Sequence, residues 1–364
     1  MPALDWITIK GFRSIASVER LHLGPINLLI GPNGAGKSNV VEAFSFLQAI
    51  RSAELQNYVT RVGGASKLLH VGVEHTNLIS LEASFDGGKN QYGISLVATP
   101  DDLLLPESEW VGYLGRGHVN PYTESLSRLG AEAGISRPGS MGVAMHVRRH
   151  LERWRVYHFH DTSSSSAMKR TADVDDNRYL RPDGSNIAAF LYLLQQKYPS
   201  HYDQIRESIR LVAPFFEDFR LQPQALNEDR IRLEWKHQRT TSYFDASSMS
   251  DGTLRFVLLA TLFLQPEELR PSVILVDEPE LGLHPFAINL LAALMKQASV
   301  TTQIFAATQS TILLDSFQPE DVLVANRDDG GTTLARLSST ELSLWMSDYS
   351  LGELWEKNYV RGRP

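Results

Sequence analysis

The sequence contains no cysteine. Disulfide bridges and thiolate metal sites are therefore excluded, and the composition is compatible with a reducing cytosol. The sequence also has no apolar run long enough to span a bilayer, and its start, MPALDWITIKGF, lacks both the basic and the apolar region of a signal peptide. We therefore expect a cytoplasmic protein with no membrane partner.

An excess of basic residues is missing as well. The formal net charge is −7, whereas a protein that coats DNA with its whole surface is expected to be basic. Local basic patches stay open, so DNA is a candidate partner that composition alone does not support. The 364 residues, 43% apolar and 21% charged, are typical of a globular protein with one large domain or two modest ones.

The hydrophobic pattern of the first half predicts strands before helices. INLLI is a fully apolar run, typical of a strand buried on both faces; GPNGAGKSN follows it, and VVEAFSFLQAI then has helical spacing. Apolar runs on both sides of DGGKN predict a hairpin within residues 74–99, because glycine supplies the positive φ of the turn. Residues 100–150 have weak periodicity, and we expect loops and short helices there.

The second half predicts helices and strands in alternation. A helix is expected after Ser185 or Asn186, with a break at Pro199. RIRLEWKH predicts a strand, SDGTLRFVLLATLFLQ a capped buried helix, PSVILVDEP a buried strand, HPFAINLLAALMKQA an amphipathic helix, and TQIFAATQS a further buried strand. No heptad run is present, so the sequence predicts no coiled-coil arm.

A phosphate-binding loop is the first motif with chemical content. Gly31 to Ser38 read G-P-N-G-A-G-K-S between a predicted strand and a predicted helix. In such a loop, backbone N–H groups around Gly34, Ala35 and Gly36 turn towards phosphate oxygens, and the helix N-terminus adds its positive end. Lys37 is expected to reach the β- and γ-phosphates of ATP, and Ser38 to hold Mg²⁺ through its hydroxyl. A chance glycine-rich turn is the alternative, which eight matching positions in this context disfavour.

Two adjacent carboxylates form the second motif. VILVDEPELGLHP places Asp277 and Glu278 at the C-terminal end of a predicted strand, where ligands bind in open α/β sheets. Because neighbouring carboxylates repel each other, a cation or another partner is expected beside them. Asp277 is predicted to hold Mg²⁺ and Glu278 to orient or polarise the attacking water. An ordinary solvated strand end is the alternative, and the P-loop upstream weighs against it.

The third motif is SSMSDGTLR, residues 247–255. A serine or aspartate before a helix is an ordinary N-cap. The alternative is a second anion cradle, formed by Ser250, Asp251, Gly252 and the amides that follow, which closes over a γ-phosphate bound by another subunit.

Together, GPNGAGKSN, SMSDGTLR and VILVDEPELGLHP resemble the ABC-type ATPases of the SMC and RecF group, most of all the stand-alone bacterial ATPases of the AAA_21 type. The resemblance implies an α/β fold: an ABC-type ATPase head with a P-loop core, a mixed β lobe and an inserted helical lobe. It divides this single head, 1–364, into a P-loop and antiparallel β lobe (1–160), an inserted helical lobe with a linker strand (161–245), and the signature, Walker B strand, switch strand and C-terminal segment (246–364).

The same resemblance adds residues to the site. Arg13 in GFRS is expected to touch nucleotide, and Asn33 and Asn39 flank the P-loop as in relatives. ELGLHP matches the D-loop, which implies that Gly282 and His284 lie near the seam of a nucleotide-driven homodimer.

The histidines near residue 160 allow two interpretations. The Q-loop glutamine of the family has no clear counterpart, and His160 or Asp161 is the candidate to replace it. His158 and His160 share a strand face, and His146 and His150 are spaced i, i+4, which invites a metal site. Without a carboxylate at ligand spacing, we expect hydrogen-bonded structural histidines instead.

The stretch AATQS stands where relatives carry a switch histidine. A protonated histidine can share charge with the γ-phosphate, whereas the neutral Gln309 can only donate a hydrogen bond from its amide. We therefore predict that Gln309 contacts the γ-phosphate or its water and that hydrolysis is slow.

The resemblance implies an ATPase that closes as a homodimer on ATP and opens on hydrolysis, acting in DNA repair or bacterial defence. The alternative is a slow regulatory module that controls an effector encoded nearby, such as a nuclease or a toxin. A transporter cassette is disfavoured because MSDGT lacks the Gly-Gly-Gln core of transporter signatures.

Overall fold

A computed structural model describes residues 4–115, 118, 121–126, 130–139, 141–163 and 165–360. Its strands are β1 (Leu4–Phe12), β2 (Ile15–His22), β3 (Ile26–Ile30), β4 (Leu78–Phe85), β5 (Asn90–Ala98), β6 (Leu104–Tyr113), β7 (Tyr122–Ser125), β8 (Trp154–Tyr157), β9 (Ala172–Asp173), β10 (Phe216–Arg220), β11 (Arg230–Ile231), β12 (Glu234–His237), β13 (Tyr243–Asp245), β14 (Val273–Asp277), β15 (Gln303–Ala307), β16 (Val322–Asp328) and β17 (Gly331–Arg336). Its helices are α1 (Lys37–Arg51), α2 (Leu55–Val62), α3 (Gly142–Glu152), α4 (Ile187–Lys197), α5 (Pro199–Val212), α6 (Asp251–Leu264), α7 (Pro285–Ser299), α8 (Thr311–Leu314), α9 (Ser339–Leu342) and α10 (Leu351–Glu356).

The core is a six-stranded sheet in the order β17-β16-β3-β15-β14-β8. The four strands β3, β8, β14 and β15 run parallel, as does β16 beside β3, and β17 alone is antiparallel to its neighbour. Alternate residues of the central strands face two different cores. Val273 and Leu275 belong to the core shared with α1, whereas Ile274 and Val276 belong to the core shared with α6 and α7. Burial on both faces explains why these strands read as continuous apolar runs.

A second six-stranded sheet, β2-β1-β4-β5-β6-β7, is antiparallel throughout. The predicted hairpin around DGGKN is confirmed as β4 and β5. Its turn uses left-handed backbone at Asp86, Gly87 and Gly88, where φ is 59°, 68° and 86°.

The expectation of loops and short helices over residues 100–150 was wrong in two places. β6 is a strand of ten residues and α3 a helix of eleven. Pro106 and the bulge opposite Ser95 and Leu96 interrupt the alternation that would have marked β6. Within this stretch, residues 116–117, 119–120, 127–129 and 140 lie outside the described residues.

The predicted helix break at Pro199 is confirmed, since α4 ends and α5 begins there. The prediction that RIRLEWKH forms a single strand was wrong. The stretch contains two strands: β11 pairs with β9, whereas β12 lies in the separate sheet β10-β12-β13. The two longest helices in the described part of the chain, α1 and α7, have 15 residues each, and none there is long and apolar enough to cross a bilayer.

Candidate nucleotide site

The P-loop leaves the buried strand β3 and enters α1 through a left-handed residue, Gly36, at φ 98°. A Cβ atom at this position would clash with the hydroxyls of Thr332 and Ser14, so only glycine fits. Thr332 Oγ1 also donates to Ala35 O at 2.8 Å. The β16–β17 hairpin therefore supports the shape of the loop through Thr332. No sequence motif indicates this contact.

Lys37 lies folded over this loop. Its Nζ donates to Gly31 O at 2.6 Å and to Pro32 O at 3.1 Å, and the residue is 9% exposed. Burial lowers the pKa of Lys37, while the nearby charges of Glu278 and Asp277 act to raise it. The ammonium group is thus held in the phosphate-binding loop and faces the two carboxylates of the second motif.

The second motif lies at the same edge of the core sheet. β14 ends at Asp277, and the parallel pairing of β3, β15 and β14 brings their carboxyl ends together. Burial raises the pKa of Asp277, and the nearby charges of His160, His158 and Lys37 partly oppose this. A cation at this carboxylate would relieve the desolvation cost, so the donor set fits Mg²⁺.

Glu278 and Gln309 are in direct contact. Glu278 has a left-handed backbone, φ 41°, and its N–H donates to Ala307 O at 2.8 Å. Gln309 directly follows Thr308 after β15, is exposed, and donates from Nε2 to Glu278 Oε1. A strained backbone at a carboxylate that is held by a neighbouring amide is typical of a functional position.

Glu280 is a site residue that sequence reasoning missed. Its Oε1 accepts from Thr308 Oγ1 at 2.7 Å and from the Gln309 N–H at 2.9 Å. The residue is 9% exposed, and burial raises its pKa. The only available signal was that DEPE carries a third carboxylate.

The signature segment begins α6. Ser250 is its N-cap, and Ser250 Oγ accepts from the Thr253 N–H at 3.2 Å, so the N-cap interpretation is confirmed. Asp251 is exposed and lies 3.5 Å from Lys169 Nζ. Within the described residues, no hydrogen bond or ion pair joins Ser250, Asp251 or Gly252 to the P-loop of the same chain. The second anion cradle stays a prediction.

The signature segment does contact the D-loop of its own chain. A Cβ atom at Gly252 would clash with Gly282 O, which shows how closely the two backbones approach. The buried Arg255 donates to Leu281 O, and also to Phe159 O at 2.9 Å. The motif SSMSDGTLR includes Arg255 without indicating a role for it. It connects the start of α6 to the D-loop and to the segment that follows β8.

The predicted Q-loop region lies beside these groups. His160, Arg255, Asp277 and Glu278 line one small cavity. Asp161, in contrast, is exposed and accepts from the Ser163 N–H at 3.0 Å in a local turn. Of the two candidates, the structure therefore places His160 near the carboxylates.

The other histidines named in the sequence differ in what they contact. His150 Nε2 lies 2.9 Å from Asp86 Oδ2 and its ring stacks on Phe85, which is a structural role. The rings of His158 and His160 are 6.5 Å apart. In the D-loop, His284 is the N-cap of α7.

Arg13 and the asparagines that flank the P-loop differ in their surroundings. Arg13 pairs with Glu42 of α1 at 2.5 Å, and Asn39 Nδ2 donates to Ser14 Oγ at 2.6 Å. These contacts support the loop from the side of the β1–β2 turn. Three predicted residues are exposed at the mouth of the loop: Asn33, Gly34 and Ser38.

Comparisons with known proteins agree with this geometry. The AAA_21 family model, described as "AAA domain, putative AbiEii toxin, Type IV TA system", matches residues 26–315. The DNA replication and repair protein RecF of Magnetococcus marinus is 50% identical over 50 residues, which are 14% of this chain and 13% of that protein. The chromosome partition protein Smc of Mycolicibacterium paratuberculosis is 45% identical over 52 residues, which are 14% of this chain and 4% of that protein.

A solved structure shows the same fold. An Smc head bound to the C-terminal winged-helix domain of ScpA superposes with a TM-score of 0.62 at 16% identity, covering 93% of this chain and 99% of that chain. The likeness shows the ABC-type head fold. The chain spans only a small part of the length of the curated relatives it matches.

Proposed function

Because this chain belongs to the AAA_21 family and has the ABC-type head fold of the SMC and RecF group, we propose that it hydrolyses ATP and works as a conformational switch that dimerises on ATP. One observation carries the proposal: Lys37, Asp277, Glu278 and Gln309 lie at one edge of the core sheet. A lysine for phosphate, a carboxylate for a cation and a second carboxylate for water are what phosphoryl transfer requires.

The residues would divide the work as follows. The P-loop amides and Lys37 bind the β- and γ-phosphates and hold them in place. Ser38 and Asp277 would hold Mg²⁺, and the cation would supply positive charge against the phosphates. Glu278 accepts a hydrogen bond from the attacking water and orients it, while Gln309 holds the Glu278 carboxylate from the other side.

We propose that turnover is slow. A neutral amide at position 309 stabilises developing negative charge less than an imidazolium would. One of the two N–H donors of the Gln309 amide is also taken up by Glu278.

The exposed surface around the signature segment supports the proposed homodimer. Ser250 and Asp251 are exposed, and in the described part of the chain neither makes a hydrogen bond or an ion pair with its own P-loop. Leu281 and Phe286, in and after the D-loop, are 45% and 53% exposed. We propose that this surface meets a second copy of the chain, so that each signature closes over the nucleotide of the other.

The test is ATP hydrolysis by the wild type and by two variants. Lys37→Ala is expected to lose ATP binding, whereas Glu278→Gln should bind ATP and lose turnover. Glu228→Ala, which changes an exposed glutamate outside the site, is the matched control. Wild-type turnover in Glu278→Gln would refute the assignment.

Two observations bear on the target. The family description names a toxin–antitoxin system, and the Smc head is bound to ScpA, which favours an effector protein. A run of arginines favours DNA: Arg148 and Arg149 lie on α3, Arg153 directly after it and Arg155 on β8, and Glu152 is the only acid in residues 146–155. Turnover that rises with DNA and falls back with added salt would support DNA. Turnover that ignores DNA but responds to a protein encoded nearby would support the effector.

A further inference from the structure

We propose that Glu280 is a positioning residue for hydrolysis, which holds the turn at Thr308 and Gln309 so that the Gln309 side chain reaches Glu278. The inference rests on the proposed ATPase function and assigns that site one more residue.

The contacts of Glu280 converge on a single oxygen. Oε1 accepts from the Thr308 hydroxyl at 2.7 Å and from the Gln309 N–H at 2.9 Å. Thr308 Oγ1 in turn accepts from the Ser310 N–H at 3.0 Å, and Ser310 Oγ caps α8 by accepting from the Leu313 N–H at 3.1 Å. One carboxyl oxygen therefore sets the backbone of three successive residues where β15 ends.

The second carboxyl oxygen of Glu280, Oε2, takes no part in these hydrogen bonds. Oε2 of Glu280 is buried and has no hydrogen bond among the described residues. A buried polar atom without a partner costs stability, so simple packing does not explain a carboxyl group here. A carboxamide could supply the same Oε1 acceptor, which makes glutamine the conservative replacement.

Glu280 also lies in the segment that leads from the proposed base to the signature. The Leu281 N–H donates to Glu278 O at 3.1 Å, and the Leu283 N–H donates to Glu280 O at 3.0 Å. Arg255 of α6 contacts Leu281. The carboxyl group thus joins the turn that carries Gln309 to the loop that contacts the signature segment.

The first test compares Glu280→Ala with Glu280→Gln in steady-state ATP hydrolysis. Glu280→Ala should lower kcat about tenfold and leave KM for ATP unchanged, because the P-loop contacts are intact; a tenfold loss corresponds to about 1.4 kcal/mol. Glu280→Gln should keep kcat within about threefold of the wild type. An equal loss in both variants, or a lower melting temperature with unchanged kcat, would overturn the positioning role.

The second test asks whether Glu280 acts through Gln309. In a Gln309→Ala background, Glu280→Ala should cause no further loss of kcat, because the side chain it positions is already gone. Losses that multiply would mean that Glu280 acts by another route. If the wild type releases no phosphate from ATP, the proposed ATPase function itself fails. If Glu278→Gln and Gln309→Ala lose activity and Glu280→Ala does not, only this inference fails.

Discussion

Replacing Gln309 with alanine removes the only side-chain hydrogen bond that Glu278 makes among the described residues. A hydrogen bond to a charged group contributes roughly 1.5–3 kcal/mol, and Gln309 is exposed, which places this bond at the low end. A loss of about 1.5 kcal/mol from the transition state lowers kcat about tenfold. KM for ATP should stay within about twofold, since the contacts of Lys37 with the loop do not involve Gln309.

The assay is phosphate release at saturating Mg²⁺ and ATP. Gln297→Ala, which truncates an exposed glutamine of α7, is the matched control and should equal the wild type. Gln309→His should turn over faster than the wild type, because an imidazolium can share charge with the γ-phosphate. If Gln309→His and Gln309→Ala both leave kcat untouched, Gln309 has no role in turnover and the reasoning is wrong.

Three further predictions follow from single positions. Gly36→Ala forces a left-handed residue to carry a Cβ atom against Thr332, and ATP affinity measured by calorimetry should fall at least tenfold. Gly252→Ala pushes against the backbone of Gly282, so it should abolish turnover while the affinity for ATP stays at the wild-type value; lost ATP binding would contradict the view that the signature serves another subunit. Burial raises the folded-state pKa of Asp277 above its usual 3.8, so this carboxyl costs stability as pH rises through that range, and Asp277→Asn should melt at a higher temperature than the wild type at pH 7 but not at pH 3 in nucleotide-free protein.

The motifs of the core could be predicted from the sequence because their information is local. A fully apolar run, a glycine-rich loop and a helical pattern follow one another without a gap, so β3, the P-loop and the start of α1 were predicted together. The same holds for β14, which ends at the Asp277 that the motif predicts.

Contacts between distant parts of the chain could not be predicted. Arg13 pairs with Glu42 across the β1–β2 turn and α1, and neither residue carries a pattern that names its partner. Thr332 supports the P-loop from nearly 300 residues away. These contacts depend on how the sheets and helices pack, which periodicity does not encode.

The role of Glu280 and the strand β6 were missed in the sequence for different reasons. Glu280 was visible in DEPELGLHP, but its role depends on the turn after β15 that it contacts. β6 could not be recognised because Pro106 and a bulge within β6, opposite Ser95 and Leu96, break the alternation. A bulged strand satisfies its backbone in the sheet without keeping the side-chain pattern on which sequence reading depends.

The central claim is that ATP closes two copies of this chain around nucleotide and that hydrolysis at Glu278 reopens them. Light scattering of Glu278→Gln with Mg²⁺ and ATP tests it most directly. We predict twice the monomer mass with ATP and the monomer mass with ADP or without Mg²⁺. A variant that binds ATP and stays monomeric would contradict the account.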